Sequence, residues 1–237
     1  MDLVPDGDTL RPHPGGGPFT VARAVARLGQ PAAFLGRLST DPYGELHARL
    51  LAADGVDTRT TARTADPTTL AIATLDEHGA AAYRFYLDGT AAPGLTPDRA
   101  LDLLPADVAI LHVGTLGLVA EPLATALEAV VDALHGRAMI VVDPNCRPPA
   151  IADPEAYRQR VAGIVARADL VKASEQDLAY LAPGRRARAL LDRGPQALVV
   201  THGRHGATVL TADGGEQRVP APEVALADTI EIGRAHV

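Results

Sequence analysis

The sequence predicts an α/β protein built on a mostly parallel, doubly wound sheet, and three observations carry that expectation. From Asp107 onward, short apolar runs alternate regularly with stretches of helical periodicity. The runs are continuously apolar, as strands buried on both faces are. Polar residues gather immediately after three of them, at the strand ends where such sheets bind ligands.

The chain begins with Asp2-Leu3-Val4-Pro5, which reads as the end of a strand. The stretch around which the rest is organised follows: Gly15-Gly16-Gly17-Pro18 running into a helical pattern of Val21, Ala22, Val25 and Leu28, with Gly29 placed to end it. Glycines let the backbone take positive φ, and Pro18 sits where a helix tolerates proline. The result is a helix N-terminus suited to a polar or anionic ligand. It is not a dinucleotide fingerprint, since Thr20 stands at the third glycine position and no buried strand precedes it. Nor is it a Walker A loop, because the only lysine is Lys172, far along the chain.

Residues 32–38 read as a short strand. Residues 42–53 read as an amphipathic helix with Leu46, Leu50 and Leu51 inward and Asp41 as its cap. Two β-type runs, 68–75 and 80–87, joined at 76–79, read as a hairpin rich in Tyr, Phe and Arg. It is either a flap over a ligand or an edge hairpin packing on its own sheet.

The regular part predicts strands at 108–113, 138–142, 170–172, 196–201 and 207–211, with helices at 122–134, 154–166 and 185–193 and a turn at 174–181. Three loops follow strand ends: Asp143-Pro144-Asn145-Cys146-Arg147, Ser174-Glu175-Gln176-Asp177 and Thr201-His202-Gly203-Arg204-His205-Gly206. Arg147 offers a planar fork for phosphate, the carboxylates can hold hydrated Mg²⁺, and glycines let a nucleotide approach the backbone. Each has a plainer reading beside it. Asp-Pro-Asn is ordinary turn chemistry, and Ser174 with Asp177 is a capping-box variant. His202 and His205, in a glycine loop without a third ligand, do not make a zinc site.

At 237 residues the chain can bury one large core with a small appendage, and with 47% hydrophobic but only 3% aromatic residues that core is of Ala, Val and Leu. A net charge of −7 argues against unspecific binding to nucleic acid or anionic membrane. The single cysteine, Cys146, makes no internal disulfide. There is no apolar run of the roughly 20 residues a membrane helix needs, and no signal pattern, so a cytoplasmic protein is expected.

The order of these motifs resembles the ribokinase-like carbohydrate kinases of the phosphofructokinase-B type. It is carried by Gly15 to Gly29, Gly36-Arg37 through Asp41-Pro42-Tyr43-Gly44, Asp143 to Arg147, Ser174 to Asp177, Thr201 to Gly206, and Asp228-Thr229. The form Gly-Gly-Gly-Pro-Phe and the Tyr83-Arg84-Phe85-Tyr86 hairpin are most similar to bacterial fructokinase-like members. The resemblance implies a three-layer αβα fold, residues 1–230 forming one kinase domain with lid elements near 1–12 and 66–88. It implies transfer of the γ-phosphate of ATP, with Mg²⁺, to a sugar hydroxyl, and possible pairing of two copies through the lid. By position, Asp2, Gly16, Gly17, Thr20, Tyr83 and Arg84 would face the sugar, and Arg147 and Asn145 the phosphate. Ser174, Thr201, Gly203 and Gly206 would line the nucleotide, and Asp177 the metal.

The sequence departs from the family pattern in places. Thr20 stands where an asparagine is usual, and Ser174-x-x-Asp177 replaces Asn-x-x-Glu. Asp228-Thr229-Ile230 is not followed by Gly-Ala-Gly-Asp, which in the family supplies an anion hole and the base. No catalytic base is therefore assigned, and a chain incomplete at both ends and without turnover is expected. A non-catalytic sugar- or nucleotide-binding protein is the alternative. Residues 231–237 read as a non-native tail, since Ile232 to Val237 is a peptide that a widely used sequencing adapter would encode.

Overall fold

The computed structural model describes residues 1–75 and 81–223. The expected turn at 76–79, the Asp228-Thr229 pair and the tail at 231–237 lie outside the described residues. Tertiary contacts divide the chain into two units, one of residues 1–106 with 120–127 and one of residues 107–119 with residue 128 onward.

In the first unit, β1 (Asp2–Asp6) and β2 (Thr9–His13) form an antiparallel hairpin. Helix α1 (Gly17–Arg27) starts after Gly16, whose φ of 118° favours glycine, and has proline in its first turn. It closes at Gly29, φ 78°, where the amide donates to the Ala26 carbonyl. Then come β3 (Gly36–Ser39), α2 (Pro42–Ala53), β4 (Thr61–Thr64), β5 (Leu70–Leu75), β6 (Ala81–Tyr86) and α3 (Pro97–Leu103). The expected strand at 32–38 is shorter than its apolar run. Only β3 pairs regularly, in parallel with β4, and Ala33 makes an isolated bridge to Asp57.

The segments foreseen as lid elements share one sheet of order β2-β1-β5-β6. Pro5 and Pro12 are tolerated because β2 is an edge and β1 pairs with β5 only at Asp2 and Leu3. The unit's core joins α1 to α2: Phe19, Ala22, Leu51 and Val56 are buried together, with Phe34 and Leu38 against them.

The second unit is the expected α/β sheet. Its elements are β7 (Ile110–Gly114), the second half of α4 (Leu123–Leu134), β8 (Met139–Asp143), α5 (Pro154–Val165), β9 (Leu170–Ser174), α6 (Glu175–Leu181), β10 (Ala197–Thr201), β11 (Ala207–Thr211) and β12 (Glu216–Val219). The order is β12-β11-β10-β9-β8-β7, with β7 to β10 parallel and β11 and β12 antiparallel. Ile140, Val142, Val171 and Leu198 are fully enclosed, as in a sheet covered on both faces.

Two expectations change here. Residues 174–181, expected as a turn, form the capped helix α6, and 187–193 adopt 3₁₀ rather than α geometry. Strand β12, exposed throughout, has no apolar residue before Val219 to announce it.

Candidate functional site

The first group of residues lies around the glycine loop. No side chain caps α1, so its first amides remain available to a ligand. The Asp2 carboxylate lies against the Gly15 α-carbon, where an added Cβ would meet Oδ2 at 2.0 Å. Gly15 thus leaves room for an acid beside the amides of Gly16 and Gly17. Thr20 follows one turn later, its amide donating to the Gly16 carbonyl at 2.9 Å.

Strand register sorts the two hairpin residues. Asp2 pairs with Ala71, which pairs with Phe85, while Leu3 pairs with Ile72, which pairs with Arg84. Paired residues share a face and neighbours alternate, so Tyr83 and Phe85 lie on the face of Asp2 and Arg84 on the opposite one. Tyr83 and Phe85 stack with centroids 6.1 Å apart, whereas Arg84 is exposed. Tyr83 therefore shares a face with Asp2 as expected of a sugar-facing residue, and Arg84 does not.

Two residues behind this loop were not anticipated as parts of it. His47, on α2, is 4% exposed and packs edge-on against Phe19 at 4.7 Å. Its Nδ1 lies 2.9 Å from the Tyr43 carbonyl, and the ring makes a second main-chain hydrogen bond at Gly15. Burial, with the chain's amino group nearby, lowers its pKa below 6.5, against the two backbone contacts that favour the charged ring. Asp41 caps α2 by accepting from the Gly44 amide, and also accepts from the Thr68 amide and hydroxyl. Burial would raise its pKa, but bonds from Thr68, Gly44 and Ser39 outweigh this and hold it at about 2.

The second group stands at the C-terminal ends of β8, β9 and β10. The parallel register puts Ser174 beside Thr201 and Gly114 beside Asp143. Ser174 Oγ accepts from the Asp177 amide while Asp177 Oδ2 accepts from the Ser174 amide and hydroxyl, a complete capping box. The other oxygen of Asp177 accepts from the Cys146 amide at 2.7 Å. Asp177 is 4% exposed, so the residue expected to face a metal is instead a clamp between two loops.

Asn145 takes a left-handed φ of 39°, turning the chain so that Arg147 folds back on the carbonyls of Asn145 and Cys146. Lys172 Nζ pairs with Asp143 Oδ2 at 3.1 Å. Asp143 Oδ1 and Asn145 Nδ2 are enclosed without a hydrogen-bond partner. Buried polar atoms are rarely left so, and these two mark the place for a ligand that both accepts and donates. Lys172 was legible as a site residue only through its register, two residues before Ser174.

The third loop is tied to the first two. His202 Nδ1 lies 3.0 Å from Glu175 Oε1 and its Nε2 2.9 Å from Thr208 Oγ1. The His202 amide donates to the Gly206 carbonyl, closing a loop in which Gly203 and Gly206 have φ of 56° and 88°. A Cβ on Gly206 would lie 2.0 Å from the Val219 carbonyl oxygen, so β12 approaches the loop too closely for any side chain. The expected phosphate, nucleotide and metal residues thus lie together in the second unit.

Comparison with known proteins accords with this arrangement. The pfkB family of carbohydrate kinases matches residues 2–230. The chain belongs to that family. It is 34% identical over 242 residues to the fructokinase of Rhizobium leguminosarum bv. trifolii, an alignment covering 98% of this chain and 73% of the relative. Among solved structures, the fructokinase of Vibrio cholerae O395 with fructose, ADP and calcium bound superposes with a TM-score of 0.84 at 30% identity. That match covers 97% of this chain and 76% of the other. The fructokinase of Xylella fastidiosa with bound ATP gives 0.87 at 28% identity, covering 96% and 73%. The fold is the three-layer αβα fold of this family.

Proposed function

We propose that this carbohydrate kinase transfers the γ-phosphate of ATP to a hydroxyl of a ketohexose, fructose being the favoured acceptor. The observation that carries the reading is the alignment of Asp143, Asn145, Arg147, Ser174, Thr201, Gly203 and Gly206 along the ends of three adjacent parallel strands. Phosphoryl transfer asks mainly for positioning and charge neutralisation. Arg147 would supply a guanidinium fork to the phosphates, and the Gly203–Gly206 turn would let the nucleotide reach the main chain. In the first unit, Asp2 would accept from sugar hydroxyls while the uncapped amides of α1 donate to them. Tyr83 would offer a ring beside them. The fructokinase names and the fructose in the Vibrio cholerae structure support the choice of sugar.

Mg²⁺ belongs to this reading as the companion of ATP. Among the described residues no group of three or more His, Cys, Asp or Glu could hold a metal alone. That suits an ion held by one or two carboxylates and the nucleotide's phosphates. Asp143 Oδ1, enclosed and unpartnered, is the oxygen placed to take part, with Asp177 fixing the loop beside it. When bound, the ion would neutralise charge on the phosphates.

Pairing of copies is also part of the reading. The face of the four-stranded sheet opposite Asp2 carries Leu10 and Tyr86, each 47% exposed, and sedimentation would reveal a dimer.

Isothermal titration with fructose, glucose, ribose and 2-keto-3-deoxygluconate, and separately with ATP and Mg²⁺, tests the function. Release of ADP is followed in the same samples. Saturable fructose binding that Asp2→Ala weakens is expected. Binding of none of the sugars overturns the reading, and binding of both ligands by an intact site without transfer is the signature of a non-catalytic binding protein.

A further inference from the structure

We propose that His47 is a positioning residue for the glycine loop, holding the main chain at Gly15 to the first turn of α2 and so setting the loop's reception of a sugar hydroxyl. The inference rests on the sugar-binding reading of that loop.

Helix α2 is amphipathic, and His47 is the position on its buried side that is not aliphatic. A buried imidazole is worth keeping only where its nitrogens have partners. Those partners are the Tyr43 carbonyl on its own helix and the main chain at Gly15. The ring edge against Phe19 adds a third hold, on the first turn of α1. Phe19 is gripped from its other neighbours too, since the Arg23 guanidinium lies 5.2 Å from its ring centre and is itself paired with Asp54. One side chain therefore fixes both the residue before the loop's key amides and the residue after them.

The charged groups around His47 are accounted for. Asp41 caps the same helix and is saturated by Thr68 and Gly44. Asp2 lies against Gly15, and the Met1 amino group donates to the Thr69 carbonyl at 2.9 Å. None of these is recorded as a hydrogen-bond partner of the ring, so its hold on the loop is through the main chain.

The proposal separates positioning from mere packing. Methionine matches the histidine volume but cannot donate, whereas glutamine keeps one donor amide. His47→Met is expected to weaken fructose binding about tenfold with ATP affinity unchanged, and His47→Gln to recover most of the loss. Hydrogen exchange in a peptide covering 15–21 is expected to quicken in His47→Met and not in His47→Gln. Unchanged fructose affinity and exchange in His47→Met overturn the proposal, as does an equal loss of fructose and ATP binding in both variants. If the wild-type chain binds no fructose, the sugar reading has failed, and hydrogen exchange alone decides whether His47 holds the loop.

Discussion

The Cys146 amide and the Asp177 carboxylate, 31 residues apart in sequence, meet at 2.7 Å. Because the same carboxylate takes the amide and hydroxyl of Ser174, one buried side chain holds the loop after β8 and the start of α6 in fixed relation. Asp177→Ala strips an acceptor from three donors at once. A loss of about 3 kcal/mol in denaturant unfolding is expected, since buried donors without partners cost about 1–3 kcal/mol each. ATP affinity should fall with it. A loss under about 1 kcal/mol would show that the clamp is dispensable.

Asp41 gives the protein an acid-sensitive joint. Its pKa of about 2 in the fold lies below the ordinary 3.8, so its stabilising contribution is complete above about pH 4 and is lost as pH falls toward 2. Asp41→Asn should flatten the stability profile across that window. At pH 7 it should cost about 1 kcal/mol, the usual worth of an N-cap. An unaltered acid limb in the variant would refute the assignment.

The two glycines of the third loop should answer differently to the same substitution. Gly203→Ala meets only the left-handed conformation, with no atom within 4 Å of the new carbon, and should cost about 1 kcal/mol. Gly206→Ala meets the same backbone penalty and the Val219 carbonyl at 2.0 Å. It should displace β12 or the loop and lower ATP affinity at least tenfold. Equal effects from the two variants would contradict the close approach of β12.

Cys146 should be inert. Burial raises its thiol pKa to about 12, and the Tyr157 hydroxyl donates to the sulfur at 3.5 Å. Reaction with a disulfide reagent at pH 8 should follow unfolding, slow in buffer and rapid in denaturant. Stoichiometric labelling of the folded protein within minutes would contradict this.

The parallel core was legible because runs such as Met139-Ile140-Val141-Val142 carry their burial in composition, and the strand-end loops because their polar residues interrupt it. The capping box at Ser174 was readable as chemistry but not as the start of α6, since seven residues are too few to show a helical period. Arg84 was grouped with Tyr83 by proximity in sequence, although alternation along a strand already separates them. His47 lay hidden for a different reason. Between Leu46 and Ala48 it reads as the polar side of a helix, and only the packing of Phe19 against α2 buries it. The role of Lys172 depended on the register of β8 with β9, which no single strand reveals.

The sheet of the second unit ends on one side in β12, whose four residues are all exposed and include Glu216 and Arg218. Unpaired strand borders invite further strands, and charge at the border opposes their addition. The Glu216 carboxylate there also faces Arg188 at 4.0 Å. Replacing these charges with neutral residues would leave each folded molecule much as it is, yet turn its border into a surface along which copies could zip together. Solubility at high concentration is therefore written into a strand that contributes nothing to the core.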